Sequence, residues 1–522
     1  MPEYATVTTL PRYNHTLSGF HLYDSISPMS SAPPTAHNSR APSPEPEYFD
    51  PPRFAFDSLK WRLASGYFAC FVTGWADGVT GTVMPYLSAE FKLTTMTSSL
   101  LWAGTTCGFF IGTFLVEIIL KWLGRFSLES SKKSIIPHTL IIFNKKAPAV
   151  GHSASHARHL ALVIAGVMHA FYFIMMGSRG GFPVMFVAYA MAAFARALLT
   201  GKNAYFASGP KQALGYAYGL ASFGSVASPF VCQSIIATGV PWFHFYYGSL
   251  VLSALNIMFL AFTFKPSLAE FTKDRQGALS EARMKLGGGD AATDSEKTSP
   301  IVMSPNSSAV RLQLEEAESN KKNTLKMALR MPYQWAFSAF ALLYCGSETT
   351  TQGFMVTYLL GSKHANPKTV GYVTSGFWGG ISLGRFAFGY CNEYLSFTQR
   401  KHVVHLCIFL GLVLQILVWV VRSHVQNSIA AGFIGLFYGP VFPGALAMAN
   451  DVLPEDVHMV VMALINAFAS LGGAVFPVIT GTVLSFEGVS SFTFVTVPLA
   501  ASLAVLWGLF PSRIPNKFPT FV

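Results

Sequence analysis

Read from residue 60 to residue 511, the chain is a series of apolar runs separated by polar stretches. A helix needs roughly 17 to 25 predominantly apolar residues to cross a hydrocarbon core of about 30 Å. Twelve runs meet that length and are predicted as helical spans, at 63–87, 98–120, 160–177, 183–206, 212–237, 242–264, 332–360, 371–393, 402–421, 428–452, 457–485 and 491–510. Two polar segments stand apart: the tail 1–60, with "SAPPTAHNSRAPSPEPEYFDPP", and the segment 267–325, with "LGGGDAATDSEKTSPIVMSPNSS". Both are rich in Pro, Ser and Gly and too poor in apolar side chains to offset chain entropy by burial, so neither is expected to fold on its own.

The predicted organisation is an N-terminal tail (1–60), a six-span half (61–264), a central loop (265–330), a second six-span half (331–511) and a C-terminal tail (512–522), all-α throughout. Composition agrees with a membrane protein: 51% of the 522 residues are hydrophobic and only 12% charged, against about a quarter charged in soluble domains. The net charge of +11 does not point to nucleic acid, because of where the cations lie. Lys121, Arg125, Lys132, Lys133, Lys145, Lys146 and Arg158 gather in one loop and a larger set lies between Lys265 and Arg330, while the opposite side holds only Lys92, Arg179, Lys363, Lys368 and Arg422. By the positive-inside rule both termini are expected in the cytoplasm. No cleavable signal peptide or lipidation motif is visible, so the first span is expected to serve as its own insertion signal. The plasma membrane is expected ahead of a vacuolar or other internal membrane. All six cysteines fall within predicted spans, which argues against a disulfide framework.

The two halves echo one another. Gly108 to Gly112 reads "GFFIG" in the second span and Gly376 to Gly380 reads "GFWGG" in the eighth; Ser222 to Pro229, "SFGSVASP", and Ser470 to Pro477, "SLGGAVFP", share S-x-G-x-x-x-x-P in the fifth and eleventh. Asp77 in the first span, within "VTGWADGVTG", has an acidic counterpart at Glu348 in the seventh, within "YCGSETTTQG". Each match is short, but they recur in the same order. The offsets place extra residues in the first half near 126–157, read as an insertion in a cytoplasmic loop, either genuine or a translated intron.

Twelve spans in two halves, a long charged central loop, "GWADG" in the first span and "SGFWGGISLGRFAFG" in the eighth resemble the major facilitator superfamily, and more closely its fungal members related to the fucose/proton symporter branch. The resemblance covers about residues 60 to 511. It implies a central cavity lined by spans one, four, seven and ten, and a cytoplasmic latch of the form G-x-x-x-D-R-x-G-R after the second and eighth spans. After the eighth, Glu393, Arg385 and Arg400 stand near the expected order; after the second, Glu117, Lys121, Gly124 and Arg125 give a degraded match.

Ionisable residues inside the spans are few, and a carboxylate at the centre of a membrane helix costs roughly 2.5 to 3.5 kcal/mol on insertion scales, so each needs a reason. Asp77, Arg196 and Glu348 lie well inside their spans, and the resemblance places all three beside the transport path. A carboxylate taken out of water holds a proton more readily, and a nearby cation opposes that, so an acid beside a movable arginine can load and release a proton. Asp77 is therefore the expected proton-coupling site, Glu348 a second acid, and Arg196 a charge partner or substrate anchor. Depth along straight helices separates Asp77 from Arg196 by roughly 12 Å along the membrane normal, which leaves direct pairing open. Trp75, Asn203, Gln352, Tyr438 and Asn450 complete the candidate substrate-binding set. Glu117 and Arg385 are expected to snorkel or latch, and Lys202 to snorkel.

His152, His156 and His159 share a helical face but lack a fourth ligand, so no metal site is expected. No P-loop or catalytic constellation is present, so neither an enzyme nor direct ATP drive is expected, and no cofactor is called for. The expected activity is secondary active transport of a small organic solute by alternating access, with proton coupling as symport or antiport, the solute being sugar-like or an exported secondary metabolite. The expected partners are the solute, protons and the lipid bilayer, without nucleic acid, acting on a monomer. The alternative is a non-transporting solute sensor on the same fold.

Overall fold

The computed structural model describes residues 58–127, 150–207, 213–287, 327, 329–454 and 458–513. The N-terminal tail, most of the insertion and most of the central loop lie outside these residues. Among the described residues, span 1 is Ser58–Gly78 continued by Thr80–Glu90, span 2 Thr95–Leu123, span 3 Ala154–Gly177, and span 4 Gly181–Leu199 continued by the 3-10 turn Thr200–Lys202 and by Asn203–Ala207. Span 5 is Ala213–Ala237 and span 6 Phe243–Thr263. The second half repeats the series with span 7 at Pro332–Lys363, span 8 at Tyr372–Cys391, span 9 at Phe397–Val420, span 10 at His424–Tyr438 continued by Val441–Val452, span 11 at His458–Glu487 and span 12 at Phe492–Leu509.

Local chemistry sets several of these boundaries. The hydroxyls of Thr94, Ser153, Ser396 and Ser423 each accept from a backbone N–H in the first turn of spans 2, 3, 9 and 10, satisfying a donor that the helix itself leaves free. Gly439 and Pro440 interrupt span 10, and span 1 breaks at Val79. Among the described residues nine helices are long and apolar enough to cross a membrane on composition alone; spans 1, 7 and 8 fall short. Those three carry Asp77, Glu348 and Arg385 among their glycines and hydroxyls.

The packing is duplicated. In the first half span 1 packs on 5 and 6, span 4 on 2 and 3, and span 3 on 6; in the second half span 7 packs on 11 and 12, span 10 on 8 and 9, and span 9 on 12. Advancing each number by six turns one list into the other. The halves meet along spans 2 and 11 and along spans 5 and 8, contacts that exchange under the same operation. The all-α, two-half architecture expected from the hydrophobic pattern is the one observed.

Two elements depart from that expectation. The flanks of the insertion pair as an antiparallel ribbon, β1 (Arg125–Ser127) with β2 (Val150–His152). Residues Leu268–Gly287 of the central loop, expected to be unstructured, form a helix. The composition reading missed that this segment docks on the first half. The Glu270 carboxylate accepts both guanidinium nitrogens of Arg62 at 2.6 and 2.8 Å, and Asp274 accepts from the hydroxyls of Ser153 and Ser155 at 2.6 and 2.7 Å. Phe271 packs on Phe126 of the ribbon, with ring centroids 5.5 Å apart.

Candidate functional site

Close helix approach fixes the register between the halves. A Cβ at Gly224 of span 5 would lie 2.1 Å from the Phe71 carbonyl oxygen of span 1, and one at Gly472 of span 11 would lie 2.0 Å from the Leu342 carbonyl oxygen of span 7. Phe71 and Leu342 are therefore equivalent. Six residues further along each helix stand Asp77 and Glu348, so the duplicated scaffold puts the two acids in the same place.

Each acid holds an arginine. Arg196 Nη1 of span 4 donates to Asp77 Oδ2, and the Asp77 side chain is 46% exposed although it lies deep within the bundle. Arg385 Nη2 of span 8 donates to Glu348 Oε1 at 3.3 Å, with the Glu348 side chain only 9% exposed, and Arg385 Nη1 reaches across the interface to Ser222 Oγ of span 5, also at 3.3 Å. Asp77 is the more exposed acid; the second pair is packed against the partner half.

The two ends of the bundle differ. At the end of the bundle where spans 1 and 7 finish, hydrogen bonds tie the halves together: Thr82 Oγ1 to the Gly371 carbonyl at 3.1 Å, Gln233 Nε2 to the Pro367 carbonyl at 3.0 Å, Thr95 Oγ1 to Ser485 Oγ at 2.7 Å and Ser234 Oγ to the Tyr372 hydroxyl at 3.1 Å. Towards the opposite end Tyr216 and Tyr218 of span 5 and Phe386 and Tyr390 of span 8 stand exposed. The halves are bonded shut at the first end; at the second, exposed aromatic side chains stand on spans 5 and 8, with Phe386 packed against Gly219.

The remaining candidates are dispersed. Trp75 is buried in the first half, its Nε1 donating to Ser249 Oγ at 2.9 Å and its ring stacked on Phe245 at 5.4 Å. Tyr438 is buried in the second half, its hydroxyl bonded to Ser347 Oγ at 2.8 Å and its carbonyl accepting from Tyr344 at 2.9 Å. Gln352 is buried at the sealed end, its carbonyl oxygen against Gly81. Asn203 and Asn450 are exposed towards the opposite end, on spans 4 and 10. Tyr189, Tyr172 and His169, which the sequence did not single out, also surround this region: the Tyr189 hydroxyl bonds Thr80 Oγ1 at 3.2 Å, and Tyr172 and His169 of span 3 are buried beside it. Their aromatic character gave no signal distinguishable from core packing.

The expected latch trio is not assembled. Arg385 pairs with Glu348, Arg400 pairs with Asp451 of span 10 at 2.5 Å, and Glu393 stands exposed in the 3-10 turn Asn392–Tyr394. Arg385 lies more than a helical turn inside the end of span 8, so it faces the acid of span 7 and not the loop. Glu117 pairs with Lys121 one turn on, both largely exposed. Lys202 does not snorkel: it is buried, and its Nζ donates to the Leu199 carbonyl at 3.2 Å.

Residues 339–521 match the family model described as Major Facilitator Superfamily. In sequence the chain is similar to the Saccharomyces cerevisiae protein named Bypass of stop codon protein 6, 29% identical over 194 residues, which is 36% of this chain and 39% of that protein. It is also similar to the glucose/mannose transporter GlcP of Bacillus subtilis, 28% identical over 174 residues, 33% of this chain and 40% of that protein. These matches thus span about two fifths of the curated relatives' length. In structure it resembles the nucleoside transporter NupG (12% identity, TM-score 0.55, covering 87% of this chain and 98% of that one). It also resembles a bacterial homologue of the lysosomal transporter Spinster (10% identity, TM-score 0.57, covering 87% and 97%). The E. coli fucose:proton symporter FucP aligns at 15% identity and a TM-score of 0.50, over 86% of this chain and 98% of that one. The second half of the chain therefore matches the major facilitator superfamily in sequence, and the chain as a whole is a multi-pass membrane protein with the twelve-span, two-half fold of solved transporters.

Proposed function

We propose that the protein is a secondary transporter that moves a small polar organic solute, of the sugar class, by alternating access coupled to protons. The observation that carries this reading is the Asp77–Arg196 ion pair, set deep in the bundle yet with the Asp77 side chain 46% exposed. Membrane carboxylates and arginines persist where they line a pathway, and a site near the middle of two rocking halves is the arrangement alternating access needs.

Protonation at Asp77 neutralises its carboxylate and weakens its hold on Arg196. The freed guanidinium then has donors for a solute hydroxyl. Return of the proton to water on the other side restores the pair and expels the solute. Glu348 and Arg385 act as the second, less accessible pair, with the Arg385–Ser222 bond joining the halves while the far end is closed. By the distribution of Lys and Arg, the end opposite the bonded one faces the cytoplasm. The sugar class is supported by the names of the relatives, which include a glucose/mannose transporter and a fucose:proton symporter.

The test is uptake into proteoliposomes with an imposed pH gradient, using a panel of labelled hexoses and nucleosides. Accumulation driven by the gradient is expected for the wild type, and Asp77→Asn should abolish accumulation while leaving solute exchange. Flux that ignores the gradient would remove proton coupling from the reading.

A further inference from the structure

Behind the Asp77–Arg196 pair, spans 3 and 4 pack on each other and carry two complementary polar groups with no hydrogen-bond partner. His169 of span 3 is 1% exposed and neither ring nitrogen has a hydrogen-bond partner. Arg196 lies within its electrostatic reach, and Arg196 Nε is likewise buried and unpartnered while Nη1 is committed to Asp77. A neutral imidazole always offers one nitrogen lone pair, and a guanidinium Nε offers one N–H. Buried polar groups are bonded in nearly all structures, so an unpaired donor and an unpaired acceptor on two packed spans are free to bond one another in another state.

We infer that His169 is the alternate partner of Arg196: when Asp77 is protonated, the guanidinium turns from the carboxylate onto the imidazole, which holds it until the proton leaves. His169 is thus a positioning residue. It touches neither solute nor proton, but it stabilises the state in which Arg196 is released. The inference rests on the proton-coupled reading above and adds a component to it. The charged and titratable groups facing the pair are Asp77 on span 1, Tyr172 on span 3, Tyr189 on span 4 and Tyr246 on span 6, the tyrosines forming a buried ring cluster with centroids 5.6 to 6.0 Å apart. Among these Asp77 is the one carboxylate, and phenols ordinarily stay neutral below about pH 10, so the exchange has a single trigger.

The test needs no solute. In purified full-length protein the protonated carboxyl of Asp77 is followed by its infrared C=O band, assigned by its loss in Asp77→Asn, and titrated against pH. Removing the alternate partner disfavours the released arginine and hence the protonated acid. His169→Phe should therefore move the midpoint to lower pH by about one unit, a tenfold change in proton affinity. His169→Gln, which keeps an acceptor, should restore it, and His169→Leu replaces the Phe variant if that one fails to fold. A midpoint unmoved in the apolar variant, or moved equally in the Gln variant, overturns the role of His169 alone. Absence of any band lost in Asp77→Asn overturns proton carriage at Asp77, and this inference with it.

Discussion

Asp77 and Glu348 occupy the same position in the two halves, each six residues beyond a carbonyl that touches a glycine of the neighbouring span, yet their arginines come from different helices. Arg196 sits on span 4 and Arg385 on span 8, so the scaffold is duplicated and the charge arrangement is not. The half-exposed pair contributes little to stability, within about 1 kcal/mol, because water screens it. The enclosed pair is different: Glu348→Gln removes a buried carboxylate and leaves the partly buried Arg385 guanidinium without its counter-charge, and should cost about 2 to 3 kcal/mol. Thermal unfolding in detergent should show a clear fall for Glu348→Gln, little change for Asp77→Asn, and partial recovery in the double variant Glu348→Gln/Arg385→Gln. Equal losses in single and double variants would mean that the two charges do not stabilise one another.

The glycine contacts predict a sharp contrast between neighbours. A Cβ at Gly472 meets the Leu342 carbonyl at 2.0 Å, a backbone atom that cannot step aside, whereas a Cβ at Gly473 meets Thr349 Cγ2 at 3.5 Å, ordinary contact. Gly472→Ala should separate spans 7 and 11 and destabilise by more than about 2 kcal/mol. Gly473→Ala should stay within about 0.5 kcal/mol of the wild type. Size-exclusion profiles and unfolding temperatures of the two variants check this, and a well-folded Gly472→Ala protein would contradict the assigned register.

Much of this was legible in the sequence, and the failures have physical causes. The spans, the six-by-six division and the matched acids follow from apolar length and order. The glycine motifs of spans 2 and 8 do not align as their letters suggest. By sequence Gly108 aligns with Gly376, but a Cβ at Gly108 lies 1.9 Å from the Ala190 carbonyl whereas Gly376 has open space; the close approaches of span 8 are at Gly380, 2.1 Å from the Gly432 carbonyl, and Gly384, 2.2 Å from the Leu436 carbonyl. Glycines four residues apart repeat on the same helix face, so the motif alone carries no phase. The roughly 12 Å separation inferred for Asp77 and Arg196 came from backbone depth. Side chains lean towards the N-terminus of their own helix, so an acid on a span running one way and an arginine on a span running the other lean towards each other. The same geometry brings Arg385 of span 8 to Glu348 of span 7.

Alternating access requires the sealed end to open. Thr95 Oγ1 of span 2 and Ser485 Oγ of span 11 are 2.7 Å apart across the interface at that end. Replacing both by cysteine, in a background with Cys107 removed, should allow a disulfide under mild oxidant. Uptake into proteoliposomes should then fall at least tenfold and return with reductant. Undiminished flux in fully cross-linked protein would show that the halves do not part along spans 2 and 11.

The central-loop helix Leu268–Gly287 is predicted to be a pH-dependent clamp on the first half. The Arg62 guanidinium holds the Glu270 carboxyl below the usual carboxylate range against the opposing effect of burial. For Asp274 burial pushes upward, but the hydrogen bonds from Ser153 and Ser155 outweigh it and the net direction is also down. Carboxyls depressed on folding contribute stability that is present above their unfolded values, near 4, and is lost as pH falls through the lower folded values. Amide exchange of residues 268–287, corrected for its intrinsic pH dependence, should therefore be flat from about pH 8 to 5 and accelerate below about pH 4. Because Glu270 is more than a third exposed, its ion pair with Arg62 is screened and is worth about 1 kcal/mol. Glu270→Gln should accordingly speed exchange roughly fivefold at pH 7 and remove part of the acid response, leaving the part due to Asp274. Wild-type protection in that variant at pH 7 would mean that the helix is held by Phe271 and Asp274 without the Arg62 contact.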